Sequence, residues 1–251
     1  MLGAIGYFHN QLKATYEVLK NFRNFYPLAS LIAINDAGHR EIAEIAQLFQ
    51  ATYHPYTKNI TTGNNSDDIE VMIEWITRFF TGIEQIQEDY FILLEDDVLI
   101  LREVDIAQIK GQMFAYNPHA LLPEKVTTYL KQFNPAIPAN TNRIWYSGCG
   151  GTIMQTQFFK DIAKNEDWKA EIYAYGELSK RNGPTEQSWY FNDCCISYLC
   201  WRYGGTIEQN TAWGDLNING TVQRYHRNEI TILHQYREHY NKPYSGMAKS
   251  T

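Results

Sequence analysis

The sequence predicts an α/β protein with a mixed, mostly parallel central sheet flanked by helices. Three observations carry that expectation. Strand-like and helix-like patterns alternate through the first hundred residues, the order that builds parallel sheets. Tyr90-Phe-Ile-Leu-Leu94 is an unbroken apolar run between polar residues, as a central strand covered on both faces requires. The chain also has 251 residues, 44% of them hydrophobic, enough to build one large core, so 1–251 reads as a single domain.

Leu2 to Phe8 reads as the first strand. Residues 11–24 read as a helix, with Leu12, Tyr16, Leu19 and Phe22 on one face, and Pro27 ends it. Leu31-Ile-Ala-Ile34 is a short buried strand closing on Asn35, Asp36 and Gly38. A helix over 40–50 turns Ile42, Ile45 and Phe49 inward, and 51–56 suits another strand. Asn64-Asn65-Ser66-Asp67 is a helix-start cluster before the apolar stripe Ile69, Met72, Ile73, Ile76 and Phe80.

After Leu94 the pattern weakens, and Pro118, Pro123, Pro135 and Pro138 interrupt 105–143. Ile144-Trp-Tyr146 reads as a strand leading into the glycine-rich Ser147-Gly-Cys-Gly-Gly151. A short helix over 156–164 follows. Residues 171–185, with Gly176, Gly183 and Pro184, read as a loop, and 186–203 as a helix ending at Gly204-Gly205. Thr231-Ile-Leu233 is a last strand before a polar, Tyr-rich tail over 241–251.

A net charge of −6 argues against nucleic acid as a partner, because phosphate backbones need a basic face. Cys149, Cys194, Cys195 and Cys200 form no CxxC pair and read as reduced thiols of a cytoplasmic protein. No apolar run is long enough to span a bilayer, and a strand starting at Leu2 leaves no room for a signal peptide. Aromatics make up 14% of residues, which suits stacking on sugars or bases and equally suits ordinary packing.

In open α/β sheets ligands bind beyond the carboxyl ends of the strands. Acids stand at two such ends, Asp36 and Glu95-Asp96-Asp97. The latter three lie between the apolar runs 90–94 and 98–101, where adjacent carboxylates need a cation or donors to offset their burial. A divalent cation takes carboxylate oxygens and shares them with phosphates; a solvated turn is the other reading. Asp193 falls on the otherwise apolar stripe Trp189, Ile196, Cys200 and Tyr203, and a carboxylate there needs a partner or a function. Stabilisation at a helix N-terminus is the alternative.

Leu94-Glu-Asp-Asp-Val98 resembles the DXD motif of GT-A (Rossmann-like) glycosyltransferases, in the Glu-Asp-Asp form of N-acetylglucosaminyltransferase I. The resemblance implies an enzyme that moves a sugar from a nucleoside-diphosphate donor, a UDP-sugar in the first instance, to a carbohydrate or other hydroxyl acceptor. Residues 1–104 would then be the nucleotide-binding half and 105–240 the acceptor half. It implies Mn²⁺ or Mg²⁺ on Asp97 and His234. Glu95 and Asp96 would face the donor, with Asp36, Tyr7 and His9 around the nucleotide, and Gly150 and Gly151 beside the donor sugar. Arg227, with Arg224 and His226 nearby, would grip the diphosphate. Asp193 would be the catalytic base of an inverting reaction, with Glu186 in reserve. The Asn192-Asp193 pair departs from the family's commoner Glu-Asp, which keeps open a non-catalytic nucleotide-sugar or carbohydrate-binding protein. A sugar-nucleotide pyrophosphorylase would need a glycine-rich basic loop after the first strand, where this chain has His9-Asn-Gln-Leu12.

Overall fold

The computed structural model describes residues 1–60, 68–115, 121–179, 192–209, 212–216, 222–223 and 230–234. The alternation of the first hundred residues becomes β1 (Leu2–Phe8), α1 (Leu12–Phe25), β2 (Leu31–Asp36), α2 (Ile42–Leu48), β3 (Thr52–Tyr56), α3 (Ile69–Ile83) and β4 (Tyr90–Leu94). The rest is built from shorter pieces: β5 (Leu99–Ile100), β6 (Met113–Ala115), α4 (Glu124–Leu130), β7 (Ile153–Gln155), α5 (Thr156–Lys164), α6 (Trp168–Ser179), α7 (Asn192–Arg202), β8 (Ile207–Gln209), β9 (Trp213–Leu216), β10 (Val222–Gln223) and β11 (Ile232–His234).

Seven strands form the main sheet in the order β3-β2-β1-β4-β7-β6-β8. Neighbours are parallel from β3 to β4 and between β6 and β8, while β7 runs against both its neighbours. Strand alternation feeds two cores. On one face Ile5, Ile32, Ile34, Phe91 and Leu93 meet α3, α5, α6 and α7. On the other, Leu2, Ala4, Phe8, Leu31 and Ala33 meet α1 and α2. Helices on both faces explain why β1 and β4 are apolar almost throughout.

The chain leaves β1 for β2 and β3 on one side and returns to β4 on the other. The crevice at the carboxyl ends of β1 and β4 is therefore a topological switch point, where such sheets bind ligands. Gly6 pairs with Leu94, which sets Glu95 level with Tyr7 at that edge.

A second sheet, in the order β10-β9-β11-β5, lies beside this edge. Its Ile100, Trp213 and Ile232 share the core of α1 and α2. Asn21 of α1 ties β5 down like an added strand: its amide donates to the Ile100 carbonyl at 2.9 Å, and its side-chain oxygen accepts from the Ile100 N–H at 2.7 Å.

Several expectations change. Ile144 to Tyr146 forms no strand; only Trp145 makes an isolated bridge, to Leu121, and the strand that pairs with β4 is β7, after the glycine loop. Residues 171–179, expected as a loop, belong to α6, where Ile172 and Tyr175 are buried and outweigh the weak helix propensity of Gly176. The helix-start cluster at 64–67 and the segment 186–191 lie outside the described residues. α3 is capped by Asp68, whose carboxylate accepts from the Glu70 N–H at 3.0 Å.

Candidate active site

Glu95, Asp97 and His234 come together although the last two stand 137 positions apart. The turn after β4 carries the acids and runs straight into β5, and β5 pairs antiparallel with β11 through Leu99 and Leu233. One step further along that register sets His234 opposite Val98, next to Asp97. One ligand atom from each of the three residues lies within 4.8 Å of the other two. His234 Nε2 is 3.5 Å from Glu95 Oε2 and 3.8 Å from Asp97 Oδ1. Side-chain exposures of 26%, 14% and 12% for Glu95, Asp97 and His234 make all three partly buried. Two carboxylates and an imidazole are a donor set that could hold a divalent cation. Asp96, between the two candidate ligands, is buried.

The glycine loop forms one wall. A Cβ on Gly150 would stand 2.6 Å from Val98 Cγ2 and 3.1 Å from both Glu95 Oε2 and His234 Cδ2, so the missing side chain is what lets the backbone reach the cluster. The Gly151 N–H donates to the Leu93 carbonyl at 2.7 Å, tying the loop to the end of β4. On its far side the loop rests on the first turns of α7. The Ser147 N–H donates to Ser197 Oγ at 2.7 Å, and a Cβ on Gly148 would be 2.9 Å from the Asp193 Cα.

This packing brings Asp193 within electrostatic reach of the cluster. Burial, helped by the Glu95 charge, raises its pKa from 3.8 to about 7, while His234 acts in the opposite direction. The positive end of α7 alone would have favoured the charged carboxylate; desolvation outweighs it. A carboxyl group with a pKa near neutrality can accept a proton at physiological pH.

The nucleotide-side candidates are placed differently. Asp36 is fully buried and faces inward: it accepts from Arg78 Nη1 at 2.6 Å, and its two oxygens share the Ile60 N–H at 3.1 Å each. Arg78 also pairs with Glu74, donates to the Lys58 carbonyl at 3.0 Å and lies over the Tyr56 ring. The carboxylate expected to face a nucleotide therefore braces β2 against α3 and the 58–60 segment. Tyr7 is committed as well, stacked on Trp75 with its hydroxyl donating to the Trp75 carbonyl at 3.1 Å. His9 stays half-buried at the crevice, its Nδ1 2.8 Å from the Asp36 carbonyl oxygen. Gly38 packs so tightly on it that a Cβ would fall 1.7 Å from the His9 carbonyl oxygen.

The structure thus gathers Glu95, Asp97, His234, Asp193, Gly150 and Gly151 at one place and holds Asp36 and Tyr7 in the framework behind it. Glu186 and Arg227, with Arg224 and His226, lie outside the described residues. Sequence reasoning missed Arg78, whose charge is hidden in an apolar helix, and Trp213, which belongs to a sheet of very short strands. Among the described residues no helix is long and apolar enough to cross a membrane, and all four cysteines are free thiols.

No protein-family model matches the sequence, and no curated protein does. Among solved structures the chain is similar to the galactosyltransferase LgtC in complex with donor and acceptor sugar analogs. That match has a TM-score of 0.49 and 13% identity over 92% of this chain and 86% of that one. An active-site mutant of LgtC gives a TM-score of 0.48 and 12% identity over the same shares.

Proposed function

We propose that the chain is a metal-dependent glycosyltransferase of the GT-A type, transferring a sugar from a nucleoside-diphosphate donor to a hydroxyl acceptor. The observation that carries this reading is the convergence of Glu95, Asp97 and His234, from two different sheets, at the switch point of the main sheet. A glycine loop and a carboxyl group of neutral pKa adjoin them. The Glu-Asp-Asp sequence agrees with the DXD resemblance, and a UDP-sugar is the donor that the resemblance favours.

Glu95, Asp97 and His234 would hold Mn²⁺ or Mg²⁺. A divalent cation at such a site neutralises charge on a diphosphate leaving group. Gly150 places no side chain against Glu95 and His234, so a ligand can sit close to the cluster. Asp193 accepts the proton of the acceptor hydroxyl while its oxygen forms the new bond to the anomeric carbon. The old bond from that carbon to the diphosphate oxygen breaks, and its electron pair leaves with the diphosphate. Attack opposite the leaving group inverts the anomeric centre. His9, half-buried just after β1 with its Nδ1 2.8 Å from the Asp36 carbonyl oxygen, is a described side chain that could meet the nucleotide.

Donor hydrolysis and transfer assays with and without Mn²⁺, across a panel of nucleotide sugars, test the reading. Metal-dependent turnover of one donor is expected. Tight binding of a nucleotide sugar with no turnover in any combination would favour the non-catalytic alternative, which the Asn192-Asp193 pair keeps in play.

A further inference from the structure

Two elements contact the imidazole of His234. Gly150 approaches so closely that a Cβ there would lie 3.1 Å from His234 Cδ2. Trp213 of β9 stacks its ring on the imidazole, with centroids 5.5 Å apart and planes 26° from parallel. β9 and β11 pair in parallel with Trp213 beside Ile232, so Trp213 and His234 are diagonal neighbours across the pair. The indole N–H donates to the Gly150 carbonyl at 3.2 Å. Gly151 makes room for it: a Cβ there would stand 2.7 Å from Trp213 Nε1, and its φ of +85° suits glycine.

A tryptophan that only filled a core would need some acceptor for its buried N–H. It would not need that acceptor to be in the loop that walls the cluster, nor its ring to lie on a candidate ligand. We propose that Trp213 is a positioning residue of the metal centre: its ring fixes the plane of His234 and its N–H fixes Gly150, so the histidine ligand and the glycine loop are set as one unit. The proposal rests on the metal-centre reading above. Replacing a group that orients a ligating histidine typically costs about 10–100-fold in metal affinity. Here the orienting group is an aromatic face.

The test is Mn²⁺ affinity, read in the full-length chain from the electron paramagnetic resonance of the unbound ion. Parent, Trp213→Phe, Trp213→Leu and Asp97→Asn are compared, with melting curves in EDTA as the control for folding. Trp213→Leu removes both ring and donor and is expected to weaken Mn²⁺ binding by roughly tenfold or more. Trp213→Phe keeps a ring over His234 and should recover most of that affinity, whereas Asp97→Asn should lose it. A folded Trp213→Leu that binds Mn²⁺ like the parent, while Asp97→Asn does not, overturns the positioning role and leaves the metal centre intact. Absence of Mn²⁺ binding by the parent overturns both. If Trp213→Leu does not fold, the indole N–H resonance of Trp213, identified by its loss in Trp213→Phe, decides. Mn²⁺ must broaden it over the same concentrations at which the ion binds, and an unaffected resonance rules the role out.

Discussion

Asp193 is the residue in which structure and chemistry meet most closely. Its carboxyl group is pushed up to about 7 by burial first and the Glu95 charge second. The folded protein therefore holds that proton more tightly than the unfolded chain does, and the stabilisation associated with it is lost as pH rises from about 4 through about 7. Asp193→Asn, melted in EDTA, should accordingly be more stable than the parent at pH 8, with the gap closing below pH 4. A gap of the same size at both pH values would detach the effect from this carboxyl group. In transfer assays the same substitution should lower the rate by roughly the 10²–10⁴-fold of a lost general base. Donor binding should be retained; transfer within a few-fold of the parent would return the base to Glu186 or favour a retaining reaction. The acids after β4 were legible in the sequence because they follow an apolar strand directly, whereas His234 entered only through the resemblance. Asp36 was legible as a strand-end acid but not as the partner of Arg78, which stands 42 positions away on a helix whose apolar stripe hides it. Trp213 gave no signal beyond a general excess of aromatics.

At the scale of elements, the strands and helices that sequence periodicity revealed are those long enough to show a period: β1, α1, β2, α2, β3, α3 and β4 all stand close to their expected bounds. Of the second sheet only β11 was legible, as the strand expected at 231–233; β5, β9 and β10 span two to four residues, and strands that short hold only through their neighbours. Its attachment to the main body can be tested at Asn21, which makes both hydrogen bonds to Ile100. Asn21→Ala leaves the Ile100 N–H and carbonyl without those partners and should cost about 1–3 kcal/mol in denaturant unfolding. It should also weaken Mn²⁺ binding, because β5 carries the register that brings His234 to Asp97. A loss of stability with unchanged metal affinity would show that the cluster does not depend on that tether. The glycine loop was recognised as irregular, whereas the strand expected before it, at 144–146, was found after it, at 153–155. Periodicity over three residues cannot decide between the two sides of a turn.

At the scale of the whole molecule, one ion pair stands behind the crevice. Arg78 and Asp36 are 2% and 1% exposed, and their contacts join β2, α3 and the 58–60 segment. Removing one partner leaves an uncompensated buried charge, so Arg78→Leu is expected to destabilise the fold by about 3–5 kcal/mol. Asp36→Asn combined with Arg78→Leu should recover part of that loss, a non-additivity that a double-mutant cycle in urea measures. Additive losses would mean that the two side chains act separately. The framework thus holds its acids in two ways: Asp36 is neutralised from within by Arg78, while Glu95 and Asp97 lie beside His234 at the carboxyl end of β4. The central claim is that those two acids, with His234, organise a divalent cation for a nucleoside diphosphate. Calorimetric titration of uridine diphosphate into the parent and Asp97→Asn, each in Mn²⁺ and in EDTA, tests it most directly. The account predicts binding by the parent in Mn²⁺, and a loss of at least tenfold in affinity both in EDTA and in the Mn²⁺-treated variant, about 1.4 kcal/mol or more. Equal affinity under all four conditions would contradict it.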